Sequence, residues 1–220
     1  MDASTQWTAW SKAAKDAARL AAKDWLKRSV VLNVVINGPT GTLKPGGLRS
    51  NSDFRSTMVS RMSQSGVPMH VAAAFSESLA QAWNAWFEGY QVQLSYPTFA
   101  AVPGPSAPIT PNTPQHLRAG ASLNAHRLTP VLLENEIKMK LGKAAMDSNA
   151  SKAVNAFAMW FSERFSAWQS VATLVNVLGK GPVPTFAPPY VPVGPVVGGD
   201  SLRTPSAPPL SDHGVFDVGL

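Results

Sequence analysis

Apolar residues recur every three or four positions in several stretches, the spacing of one face of an α-helix. The first stretch covers roughly residues 5–28 and has one apolar seam, formed by Trp7, Trp10, Ala14, Ala17, Ala21 and Trp25. This seam predicts an N-terminal amphipathic helix. The β-branched residues 30–36 that follow are compatible with a short strand or with the buried end of the helix, because periodicity does not separate the two.

A second helical pattern occurs twice. Each copy opens with a short segment in which three apolar residues lie four apart. These residues are Phe54, Met58 and Met62 in the first copy, and Leu133, Ile137 and Leu141 in the second. Asn51 or Ser52 is expected to cap the first short helix. Thr129 followed by Pro130 is typical of a cap and first helical residue in the second copy.

A longer amphipathic segment completes each copy, over residues 71–90 and 154–175. An offset of 82 residues places the aromatic residues of the first segment on those of the second: Phe75 on Phe157, Trp83 on Phe165, and Trp86 on Trp168. We therefore predict an internal duplication.

Both copies then run into proline. The tetrapeptide Pro-Thr-Phe-Ala occurs at residues 97–100 and again at 184–187, and the proline-rich tracts extend over 97–114 and 182–209. Proline fixes φ and removes a backbone donor, so these tracts favour polyproline II. Valines alternate with prolines in the second tract, which indicates an extended arm that lies against protein.

The predicted fold class is mainly α: two duplicated helical-hairpin units plus an N-terminal helix, with extended proline-rich arms. We divide the chain into residues 1–47, with the helix and a turn, residues 48–115, with the first unit and its arm, and residues 116–220, with the second unit and its arm. Any sheet is expected to be minor.

Composition restricts the chemistry. Charged residues make up 15% of the chain, well below the usual quarter. The chain has no cysteine, which excludes disulfides and thiolate metal sites. The four histidines are scattered without a metal-binding spacing, and the glycine-rich residues 38–47 lack the Gly-Lys-Ser/Thr ending of a phosphate loop. We therefore expect no enzyme activity, no cofactor and no metal.

The net charge of +6 is concentrated near the N-terminus, where residues 1–50 hold eight Lys/Arg against three Asp. Five of these cations share one face of the predicted N-terminal helix: Lys12, Lys15, Arg19, Lys23 and Lys27. Such a face could track phosphates or anionic lipid headgroups. It could equally be an ordinary solvated helix face, because Asp16 and Asp24 interleave with the cations.

These patterns favour a non-enzymatic structural subunit of a large particle, such as a phage-type capsid, tail or contractile assembly. Its partners would be other subunits, including copies of itself, and its location the virion or a comparable particle, otherwise the cytoplasm. Aromatic residues often dominate interface energetics, and the candidate contact residues are Trp83, Trp86, Phe99, Trp160, Trp168, Phe186 and Tyr190. The alternative is a nucleic-acid or anionic-membrane-surface binding protein that uses the basic N-terminal helix.

Overall fold

The structure is a computed structural model that describes residues 2–97, 109–181, 186–187, 191–192, 200–202, 208–211 and 213–217. Over these residues the chain is mainly α-helical, with short strands in small sheets. The helices are α1 (Ala3–Lys27), α2 (Phe54–Gln64), α3 (Met69–Glu88), α4 (Pro130–Leu141) and α5 (Ser148–Val171). The strands are β1 (Ser29–Val31), β2 (Val34–Asn37), β3 (Thr40–Leu43), β4 (Leu48–Ser50), β5 (Tyr90–Ser95), β6 (Thr110–Pro111), β7 (Gln115–His116), β8 (Ala121–Ser122), β9 (Thr173–Leu174), β10 (Leu178–Lys180), β11 (Phe186–Ala187), β12 (Val191–Pro192) and β13 (Asp200–Leu202).

Helix α1 confirms the predicted N-terminal helix. The Asp2 carboxylate accepts a hydrogen bond from the Thr5 backbone N–H at 2.7 Å and so caps its first turn. The predicted seam is buried except at Trp10, which is half-buried. The seam packs against α2 and α5, so this helix belongs to the core of the chain.

The short helices α2 and α4 begin close to where the sequence predicts. The three apolar residues of each predicted stripe are buried. The cap of α2 is Asp53, so the prediction of Asn51 or Ser52 was wrong by one or two residues. The Asp53 carboxylate accepts from the backbone N–H and the hydroxyl of Ser56, which satisfies a free donor of the first turn. Thr129 is the N-cap residue of α4, and Pro130 is its first helical residue, as predicted.

Residues 30–36 contribute to two strands rather than to the end of α1. β1 pairs with β4, and β2 joins the antiparallel sheet β2-β3-β5-β8. The hairpin between β2 and β3 turns at Gly38–Pro39, where Gly38 has a φ of 61° that glycine adopts readily. Alternate residues of β2 and β5 are buried.

The described parts of the proline-rich tracts pair with their own chain. β10 is the central strand of a three-stranded antiparallel sheet, with β6 from the first tract on one edge and β13 from the second on the other. β11 pairs with β12 within the second tract. These strands are extended, as predicted for the tracts, but the protein that they lie against is their own chain: β6 and β13 pair with the two edges of β10, and β11 and β12 pair with each other. The remaining tract residues lie outside the described part of the chain.

One aromatic core connects residues of all three predicted segments. The fully buried Trp83 of α3 is at its centre. Its ring lies within about 6 Å of seven other rings, those of Trp25, Phe54, Phe87, Phe161, Phe165, Trp168 and Phe216. Phe216 belongs to a single 3-10 turn at residues 215–217, so the end of the described chain returns to the core.

Candidate functional site

The structure places four of the predicted contact residues in the core. Trp83, Trp86 and Trp168 are essentially fully buried, and Trp160 is 6% exposed. Their side chains pack on other aromatic rings of the same chain: the rings of Trp86 and Phe165, for example, are 5.1 Å apart. These tryptophans are therefore core residues and present no surface to a partner.

The other three predicted contact residues are in the proline-rich tracts. Phe99 and Tyr190 lie outside the described residues. For Phe186 the structure describes only the backbone, which pairs with Pro192 in the hairpin of β11 and β12.

The basic face of α1 divides into two parts. Toward the end of the helix, Arg19 and Lys23 both contact the Asp217 carboxylate, at 2.8 and 2.7 Å. The side chains of Lys23 and Arg19 donate hydrogen bonds to the Asp217 carboxylate. These bonds stabilise its charged form and so hold the pKa of Asp217 below its ordinary value. The acidic residue thus binds the end of the described chain to α1. Lys27, at the last turn, is exposed.

The other part of this face borders a groove between α1 and α5, which we call the α1/α5 groove. It has a volume of about 420 Å³ and is lined by Ser4, Thr8, Ser11, Lys12, Lys15, Asn149, Lys152, Ala153 and Ala156. Three lysines from two helices therefore converge on one concavity. The Lys15 ammonium also lies 5.9 Å from the centroid of the Trp160 ring, in a cation–π contact.

Helix α4 presents apolar side chains on its outer surface as well as on its inner one. Leu133, Ile137 and Leu141 face the core. Val131, Leu132 and Met139 are 66%, 40% and 68% exposed. At 100° per residue these three side chains occupy one arc of the helix, with the exposed Asn135 between them and with Leu132 at the edge beside α3. We call this arc the outer face of α4.

A wider cleft of about 630 Å³ lies where the end of α1, the β3–β4 turn and the end of α3 meet. Arg49 and Glu88 are its charged residues, and Arg49 Nε donates to the Gly46 carbonyl at 2.7 Å. The lining has no histidine, and no group of three His, Asp or Glu residues able to hold a metal lies in the described residues. The lining Ser52 hydroxyl donates a hydrogen bond to the Asp24 carboxylate.

A buried tyrosine elsewhere has a structural role. Burial raises the pKa of Tyr90, and its hydroxyl donates to the Leu117 carbonyl at 2.9 Å. This bond joins the start of β5 to the 3-10 turn at residues 117–119. Tyr90 therefore stays neutral, and its hydrogen bond stabilises the packing of this turn on β5.

Sequence reasoning missed the outer face of α4 and the contribution of Lys152. The exposed residues Val131 and Met139 are eight apart and could have been found as a second apolar arc beside the Leu133 stripe. Lys152 lies 140 residues from Lys12, so no local pattern relates the two.

Comparison of the chain with protein-family models, with curated proteins and with solved structures gives no match. Among the residues that the structure describes, no helix has both the length and the apolar composition needed to cross a membrane.

Proposed function

We propose that this chain is a non-enzymatic structural subunit of a large multi-subunit particle, such as a phage-type capsid, tail or contractile assembly. The observation that carries the proposal is the outer face of α4. A helix that is apolar on two faces is typical of a helix packed on two sides. The described part of the chain covers only the inner side, and a neighbouring subunit would cover the other.

The energetic gain from such a contact is substantial for a small patch. Burial of an aliphatic side chain is worth about 1.5–3 kcal/mol, and Val131, Leu132 and Met139 expose 66%, 40% and 68% of their surface. Covering the three exposed parts would contribute about 3–5 kcal/mol at the same rate. Methionine adapts to irregular partner surfaces. The patch is thus a suitable centre for a larger contact.

We also propose that the helical pairs α2/α3 and α4/α5 are duplicated units packed against each other. The rings of the offset-related residues Phe75 and Phe157 are 5.0 Å apart, and those of Trp83 and Phe165 are 5.8 Å apart. The contact of Trp86 with Phe165 has its counterpart in that of Trp168 with Trp83. Reciprocal contacts of this kind are expected across a pseudo-two-fold axis.

The proline-rich arms would provide further contacts with neighbours in this proposal. The sequence supports this, because Val191, Val193, Val196 and Val197 are interleaved with proline, whereas a solvated linker is usually rich in serine, glycine and charge. The location would be the virion or a comparable particle, otherwise the cytoplasm.

Sedimentation velocity over a wide concentration range tests the proposal. We expect the purified chain to form oligomers as its concentration rises, and the V131E/M139E variant to stay monomeric because two charges would enter the contact. S60E/S63E is the matched control, since it adds the same charges at exposed positions of α2, and it should assemble like the parent chain. A parent chain that is monomeric throughout, or equal assembly of all three proteins, contradicts the proposal.

A further inference from the structure

We infer that the α1/α5 groove binds the phosphate backbone of a nucleic acid strand. This inference goes beyond the proposed structural role and depends on different residues. Three observations carry it: the unpaired positive charge of the groove, the polar side chains beside that charge, and the burial of the apolar face of α1.

The charge of the groove is not neutralised within the described part of the chain. Lys12, Lys15 and Lys152 have no ion pair there, whereas Arg19 and Lys23 are paired with Asp217. No Asp or Glu lines the groove. The nearby Asp147 carboxylate accepts hydrogen bonds from Trp7 Nε1 at 3.2 Å and from the Asn149 backbone N–H at 2.8 Å. The three ammonium groups are therefore available to contact an anionic ligand.

Apart from Ala153 and Ala156, the remaining lining residues are of types that bind phosphate oxygens. Hydroxyl and amide side chains share phosphate contacts with lysine in protein–DNA complexes, and Ser4, Thr8 and Asn149 line the groove. The Thr8 hydroxyl donates to the Ser4 carbonyl at 2.9 Å, and the Ser11 hydroxyl donates to the Ala153 carbonyl at 3.1 Å. Ser4 and Asn149 are therefore the more available donors.

The length of the groove suits a polymer. From Ser4 to Lys15 its α1 wall rises about 16 Å at 1.5 Å per residue. A strand that rises 3.4 Å per nucleotide would place about four or five nucleotides along this distance. Three lysines from two helices can then contact successive phosphates.

The fold favours nucleic acid over an anionic membrane. A membrane-surface helix inserts its apolar face among the lipids, but Trp7 and Trp25 of α1 are buried in the core. The accessible groove beside them is concave and positively charged, and its lining contains no aromatic residue. A concave groove can receive the backbone of a nucleic acid strand, whereas a flat lipid surface would not enter it.

The experiment is a salt titration of binding to a fluorescein-labelled 15-nucleotide oligo(dT), followed by anisotropy. With three phosphate contacts the plot of log K against log salt should have a slope of about −2, since each contact contributes about −0.7 for a single strand. The variant K12Q/K15Q/K152Q should lose at least about tenfold in affinity at low salt and most of this slope. K27Q/K44Q/K180Q removes the same charge at exposed lysines outside the groove and should bind within about threefold of the parent.

Equal losses in both variants, or no binding by the parent chain at low salt, would overturn the inference. So would binding of tripolyphosphate without binding of the oligonucleotide, or groove-dependent binding to phosphatidylserine vesicles alone. Acetylation of the parent chain, read by mass spectrometry, gives a check that needs no variant. The oligonucleotide should protect Lys12, Lys15 and Lys152 but not Lys27 and Lys44, and uniform protection would also refute the site.

Discussion

Replacing Phe216 with alanine should destabilise the whole fold, although only four residues follow it in the sequence. Its side chain is fully buried. Its ring centroid lies 6.2 Å from those of Trp83, Phe161 and Trp168, on α3 and α5. Two ion pairs between Asp217 and α1 adjoin this contact. The single turn that carries Phe216 therefore closes the core.

The expected cost follows from the burial and from the neighbouring rings. Removing a fully buried phenylalanine side chain loses about 1.5–3 kcal/mol of transfer free energy, and the cavity adds to this. Contacts between aromatic rings contribute about 0.5–1.5 kcal/mol beyond burial. The unfolding free energy should therefore fall by about 3–5 kcal/mol, the range measured for Phe→Ala in cores.

Urea unfolding followed by tryptophan fluorescence measures this change directly. For a chain of this size a loss of 3–5 kcal/mol corresponds to a drop in Tm of roughly 6–20 °C. Leu123→Ala is the control, since Leu123 is 74% exposed and its removal should cost under about 0.5 kcal/mol. A Phe216→Ala cost below about 1 kcal/mol would refute docking of the C-terminal turn into the core.

Two further changes test the surroundings of this core. Asp217→Asn should lower the Tm at pH 7. Because the pKa of Asp217 is depressed in the folded chain, its contribution is present above the ordinary aspartate value of 3.8 and is lost as the pH falls through the folded pKa. The difference in Tm between Asp217→Asn and the parent chain should thus shrink as the pH is lowered below 3.8. A difference in Tm that does not change with pH would contradict the pairing. So would an equal loss of Tm in the control variant Glu163→Gln. Gly179→Ala should cost about 1–3 kcal/mol in urea unfolding, because its Cβ would lie 2.5 Å from Ile36 Cδ1 and 2.8 Å from Tyr96 Cε1. Gln93→Ala, at an exposed position of β5, should be nearly neutral, and a neutral Gly179→Ala would contradict the close packing of β10.

Local spacing predicted the helices well. The seam of α1 and the stripes of α2 and α4 are buried as their periodicity indicates, because a helix turns by a constant angle per residue. Thr129 and Pro130 marked the start of α4 for the same local reason. The cap of α2 was missed by a residue or two because Asn51, Ser52 and Asp53 are all suitable capping residues.

The candidate sites were predicted less well, since they depend on which faces meet. An aromatic stripe such as that of Trp83 and Trp86 looks the same whether it will be buried by its own chain or by a partner. Here α5 and Phe216 bury it. The proline-rich tracts look like free arms in sequence, yet β6 and β13 complete the sheet around β10.

The sequence by itself determined where helices begin to within a few residues, which of their sides carry the main apolar stripe, and that the positive charge is concentrated near the N-terminus, because these properties depend on neighbours within a few residues. Only the tertiary structure decided that Asp217 pairs with Arg19 and Lys23, that Lys152 joins Lys12 and Lys15, and that the described part of the chain leaves one apolar side of α4 exposed. Each of these depends on contacts between residues far apart in the chain, and those contacts are selected by the packing of the whole core.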